Sequence, residues 1–183
     1  MSTHGLGAQH KLGGSRGKKA DLQELAQALL RSELFLGLND AQIRAIVTLP
    51  SCRLCDYRAQ DVIFEQGQEA RDLYVLIEGR VHLLLRAPLL SSTPVEDVVD
   101  LVTAGDFFGW SALVSPHIYT LSAGCVEPSR VIAIAGAELN VVFNRNHHIG
   151  YTVMRAFGHA VGARLRDIQR TAQGRKRSPI FEG

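Results

Sequence analysis

The stretch GDFFGWSALVSPHIYTLSA, Gly105 to Ala123, is where this sequence comes nearest to a binding site. It reads as a strand delivering the chain to a glycine and a very short helix, followed by a small loop and another strand. Backbone N–H groups at such a turn are available to an anion. Yet Gly109 to Thr120 contains no Arg, Lys, Asp or Glu. An anion there would meet backbone donors and hydroxyls, with Ser111 serving as a donor or simply as a cap of the short helix. Trp110 and Tyr119 allow two readings: an aromatic wall that stacks on a flat ligand, or bulk that fills and closes an unused pocket.

The remaining reactive side chains do not assemble into a catalytic set. Cys52 and Cys55, in CRLC, suggest zinc, but a four-ligand site needs two more Cys or His at workable spacing, and no second paired motif follows. Residues three apart on a strand face opposite sides, so structural or free thiols are expected and no metal is. His82, in RVHLLLR, stands alone, and His147 and His148 begin a helix on which adjacent positions diverge. With no nucleophile, base and orienting group in evidence, the chain does not read as an enzyme.

Composition bounds the class. The 183 residues are 46% hydrophobic, enough for one core. No apolar run approaches the roughly 18 residues of a membrane span, and MSTHGLGAQHKLGGSRGKKA lacks a signal-peptide core, so a cytoplasmic protein without membrane contact is expected. The net charge of +2 hides an uneven distribution. Residues 1–19 and 174–183 hold seven basic residues and one acid, leaving 13 basic and 17 acidic residues in 20–173. The folded part is mildly acidic, which argues against a nucleic-acid footprint. Three segments follow: a disordered tail over 1–19, a domain over 20–173, and a flexible basic tail over 174–183.

The elements that must position the short helix can be read from periodicity. DLQELAQALLRS, Asp21 to Ser32, has helical spacing with Asp21 as its cap, and Asn39 or Asp40 can cap AQIRAIVTL. From Ser51 to Ala135 short β-rich runs alternate with turn signals, the rhythm of a β-roll or barrel. IEGRV reads as a tight hairpin around Glu78 and Gly79, and APLLSSTPVED as a longer loop. GAELNVVFNRN suits a short helix and His147 to Ala172 a long one. Along the latter, Val153, Phe157, Val161, Leu165 and Ile168 form one stripe. Ala156, Ala160 and Ala163, with Gly158 and Gly162, lie on a second side. Arg155, Arg164, Arg166 and Arg170 make the helix end basic, which reads as a solvated face favourable to the helix dipole.

Two helices, about eight strands holding a glycine-led short helix, then a short and a long helix: this order resembles the cyclic-nucleotide-binding domain of the catabolite activator and kinase regulatory-subunit superfamily. LFLGLND, AQDVIFEQGQEARDLYVLIEGRVHLLL and GDFFGWSALV carry the resemblance, over roughly Leu22 to Gln173. It implies a mainly β fold, a double-stranded β-helix or jelly roll, with N-terminal helices and a long C-terminal helix. It further implies that the opening stretch is the phosphate-binding cassette, in which a Glu after the glycine takes the ribose hydroxyl and an Arg about ten residues on pairs with the cyclic phosphate. Phe108, Gly109, Ala112 and Leu113 match that pattern. Trp110 stands at the Glu position and Tyr119 at the Arg position, with Thr120 keeping the small polar character that follows.

The expectation is therefore a stand-alone sensor or regulatory module that does not bind cyclic AMP in the usual way. Its degenerate cassette comprises Phe108, Gly109, Trp110, Ser111, Ala112, Leu113, Tyr119 and Thr120, open to a cyclic nucleotide, another small ligand, or none. The resemblance implies a homodimer through the long helix, Ile149 to Ile168, with Val153, Ala156, Phe157, Ala160 and Ala163 at the interface. A downstream protein partner is expected, whereas the ten residues after Gln173 leave no room for a DNA-binding domain of its own. Two rivals remain: a ligand-free interaction or dimerisation unit, and a metalloenzyme of the kind called cupins, which gather several histidines in a β-barrel.

Overall fold

The structure, a computed structural model, describes residues 18–86 and 96–175, with side chains described for 22–86 and 97–166. Residues 1–17 and 176–183 of the tails and the APLLSSTPV segment thus lie outside the described residues. Helix α1 (Lys18–Arg31) begins inside the stretch assigned to the N-terminal tail. Asp21 consequently lies inside the helix rather than at its cap. A 3-10 turn (Glu33–Phe35) leads to α2 (Asp40–Val47). Asn39 caps α2 in a reciprocal box: its Oδ1 accepts from Gln42 N, and Gln42 Oε1 accepts from Asn39 N, each at 3.0 Å.

Eight strands follow: β1 (Arg53–Tyr57), β2 (Val62–Phe64), β3 (Asp72–Glu78), β4 (Val81–Arg86), β5 (Glu96–Val102), β6 (Phe107–Phe108), β7 (Ser122–Cys125) and β8 (Ser129–Ala135). They form two antiparallel four-stranded sheets, ordered β1-β8-β3-β6 and β2-β7-β4-β5. The jelly-roll expectation holds, with helices flanking it at both ends of the chain. The IEGRV hairpin does not hold. Glu78 and Val81 belong to different sheets, so this turn carries the chain from one sheet to the other. Gly79 makes the turn at φ +95°, where a Cβ would strike Ser129 and the Pro128 carbonyl.

Alternation along the strands divides the apolar residues between two cores. Leu73 and Val75 of β3, Ile132 and Ile134 of β8 and Phe107 of β6 face the helices, among Leu29, Phe35, Ile43, Leu139 and Val153. Tyr74, Leu76, Val131, Ala133 and Phe108 face the inside of the roll, with Phe64, Leu83 and Tyr119. The two CRLC cysteines obey the same rule. Cys52 packs on the helical core and Cys55 lies in the roll core.

Helix α3 (Gly136–Arg145) starts directly at the end of β8, and α4 (His147–Arg175) follows one residue later. Gly136 is demanded by contact: a Cβ there would collide with the carbonyl of Ala112. His148, exposed at the start of α4, hydrogen-bonds through Nδ1 to the Gln42 amide at 2.9 Å, tying α4 to α2.

Candidate functional site

Gly109 ends β6 in the left-handed region (φ +71°) and caps a 3-10 helix, Trp110–Ala112. A Cβ there would press on the Tyr74 ring and the Asp72 carbonyl, so the residue must be glycine on both counts. The turn spends one of its donors on itself, because Ala112 N–H bonds to Gly109 O at 3.1 Å. Ser111 is buried within the turn, and the Gly109 cap forms no side-chain bond. Leu113 closes the turn and is buried as well.

Tyr119 occupies the interior of the roll. Its ring lies 3.8 Å from that of Phe64, centroid to centroid, with 13° between planes. Phe64 in turn stacks near Tyr74 and Phe108. The Tyr119 hydroxyl donates to Asp72 O at 2.8 Å and accepts from Asp72 N at 3.2 Å. Its backbone is fixed too: Tyr119 N–H bonds to Gln68 O, and Tyr119 O accepts from Gly67 N. Asp72 is anchored by the Arg53 guanidinium at 2.7 Å. Burial raises the Tyr119 phenol above its ordinary value, keeping it a neutral hydrogen-bonding group.

What remains between these groups is a cavity of about 20 Å³ lined by Phe64, Leu83, Gly109, Trp110, Ser111, Tyr119, Thr120 and Leu121. That is room for a water, far below a nucleotide. None of the lining residues is charged.

The Trp110 indole lies elsewhere. It packs edge-on to Phe107 at 6.0 Å and to Phe157 of α4 at 6.4 Å, in the helical core. Trp110 and Tyr119 therefore pack their rings against different cores, although both residues border the small cavity. Over the indole, 5.1 Å from its centroid, sits the guanidinium of Arg164.

Arg164 is the site residue that the reading of the helix end as a solvated basic face passed over. Its side chain is only 16% exposed. It donates to Phe107 O at 2.8 Å, and it lies 3.3 Å from Asp100 and 3.6 Å from Glu33. The signal was present in the spacing. Val153, Phe157 and Ala160 face inward, and the next step of the same stripe is Arg164. Arg155 and Arg166 are exposed, as expected of a solvated face.

That stripe also bears on the residues expected at an interface. Val153 is fully buried, Ala160 is 9% exposed, and Phe157 is half-buried against Phe107 and Trp110. Ala156 is half-buried and Ala163 exposed. Ala160 thus joins the barrel-facing side instead of the second surface. Among the described residues no three metal-capable side chains gather, and no helix is long and apolar enough to cross a membrane.

Residues 54–146 match the family model for the cyclic nucleotide-binding domain. Among solved structures, a candidate cyclic nucleotide-binding protein from Geobacter metallireducens GS-15 is 33% identical, covering 74% of this chain and 95% of its own, with a TM-score of 0.61. The sensor domain of the transcriptional regulator DNR from Pseudomonas aeruginosa is 18% identical over 79% of this chain and 93% of its own, with a TM-score of 0.65. The Thermus thermophilus catabolite activator protein is 22% identical over 78% of this chain and 62% of its own, with a TM-score of 0.61. The last two speak to the fold alone. Among curated proteins no sequence matches this chain. The two-sheet roll, the glycine-led turn between β6 and β7 and the matched residues together make this chain a member of the cyclic nucleotide-binding domain family.

Proposed function

We propose that this domain is a non-catalytic regulatory module that works through helix α4 and does not take cyclic AMP in the family's usual way. The observation that carries this reading is the Tyr119 ring, stacked on Phe64 and hydrogen-bonded to Asp72, at the position where the resemblance puts a phosphate-pairing arginine. A hydrogen bond to a charged group is worth roughly 1.5 to 3 kcal/mol, so losing the Glu and Arg partners costs on the order of 10² to 10⁴ in affinity. The small cavity adds the work of displacing a packed aromatic side chain. Calorimetric titration with cyclic AMP and cyclic GMP tests the reading. No binding heat is expected up to about millimolar ligand, and a low-micromolar Kd overturns it.

A second observation favours the dimerisation side of this role. On the outward side of α4, Tyr151, Met154, Gly158, Val161 and Leu165 repeat at alternating steps of three and four, the period of a coiled-coil seam. Tyr151 is 68% and Leu165 55% exposed, and a Cβ at Gly158 would meet nothing within 4 Å. This seam, in place of the inward residues Val153 and Ala160, is the surface we assign to a symmetry-related copy. A shallow glycine at its centre lets two helices approach closely. The downstream partner is a further protein reached through the same helix.

A further inference from the structure

We propose that Arg164 is a latch that fastens helix α4 to the cassette by clamping the face of Trp110, so that the helix and the cassette turn are coupled by side chains of this chain without a ligand between them. The proposal does not depend on what the cassette pocket holds.

Three observations converge on one guanidinium. First, it is held at its edges by Phe107 O (2.8 Å), Asp100 (3.3 Å) and Glu33 (3.6 Å), which come from β6, β5 and the 3-10 turn after α1. Second, its flat face covers both Trp110 (5.1 Å) and Phe107 (5.2 Å), within the range of a cation–π contact. A planar, delocalised cation can stack and donate in-plane at once, which an ammonium cannot do. Third, it is the last described residue of α4 that faces inward. Val153, Phe157 and Ala160 precede it on the same stripe, whereas Leu165 and Arg166 are exposed.

Glu33 feels Asp106 and Asp100 as well as Arg164, and the Arg164 guanidinium pairs with both Glu33 and Asp100. Withdrawing Arg164 strips the carboxylates of their counter-charge and uncovers the indole. Burying Arg164 without them leaves a cation unpaired. Docking of the helix end and ordering of this corner therefore occur together. Because Trp110 stands directly after Gly109, any tilt of the turn changes the surface on which Arg164 rests.

Trp110 is the single tryptophan of the chain, so its fluorescence reports the latch in the full-length protein. Arg164→Met keeps an unbranched apolar stem but removes the charge and the fork. It is expected to red-shift the Trp110 emission and raise its acrylamide quenching. Amide exchange over Phe157 to Arg166 is expected to accelerate about tenfold, while β3 and β8 amides keep their protection. Asp100→Asn, which leaves Arg164 in place, is expected to give the same changes at smaller amplitude, and it decides alone if Arg164→Met does not fold. Unchanged emission and unchanged exchange in the folded variants overturn the latch. So does an exchange increase spread uniformly over the roll, since that reports general destabilisation.

Discussion

The Tyr119 and Phe64 rings lie parallel, 3.8 Å apart, with the Tyr119 hydroxyl bonded to both backbone groups of Asp72. The side chain is thus held at its face and at its tip. Removing only the tip, as Tyr119→Phe, leaves the stack but orphans the Asp72 N–H. The expected cost is about 1 to 2 kcal/mol in chemical denaturation, with no gain in nucleotide binding. A variant as stable as the wild type would show that water replaces the hydroxyl.

The two sides of α4 respond oppositely to a carboxylate. Leu165→Glu lies on the exposed seam and is expected to turn a dimer into a monomer in sedimentation at roughly tens of micromolar, with a stability change within about 0.5 kcal/mol. Ala160→Glu places an unpaired charge against the domain's own core and is expected to cost about 3 kcal/mol or more. A wild type that sediments as a monomer removes the seam as an interface.

Glu33 gives a pH dependence with a definite sign. Burial is the largest influence on its carboxyl and raises it above the ordinary 4.5, outweighing the pull of Arg164. A raised carboxyl adds stability while protonated, and that stability is lost as pH climbs through the folded-state value. Glu33→Gln removes this penalty. Its Tm is expected to exceed that of the wild type at neutral pH, with the gap closing below 4.5. A variant less stable at neutral pH would mean that the Arg164 pairing dominates.

The cysteines are expected to be slow. Burial pushes the Cys52 thiol up to about 12 and raises Cys55 and Cys125 in the same direction. At mildly alkaline pH near 8 the thiolate fraction of Cys52 is on the order of 10⁻⁴, so native protein should react with a disulfide reagent far more slowly than protein unfolded in guanidinium. A rapid native reaction at one thiol would reveal local opening around it.

Much of this was legible in the sequence. Short β-rich runs between turn signals located the strands, and the glycine before Trp110 located the turn. Helical spacing placed α2, α3 and α4. The direction of the Trp110 side chain was not legible, because a three-residue helix is too short to have a periodicity. Its neighbours show how local the matter is: Phe107 and Phe108 are adjacent and identical, yet they enter different cores. Ala160 was misplaced because alanine fits an interior or an interface equally well. Arg164 was misplaced because charge was weighed above position, although its place on the inward stripe was the better guide. The IEGRV turn misled because a glycine that reverses a hairpin and one that switches sheets look alike in sequence.

Gly136 sits so close to Ala112 that nothing larger than hydrogen fits between the root of α3 and the end of the cassette turn. Two backbones in contact have no rotamer to absorb a shift, so the turn and the helix root move as the two ends of one stiff rod. A methyl group added at residue 136 would act as a shim. It would force the turn and the helix root apart, by covalent means.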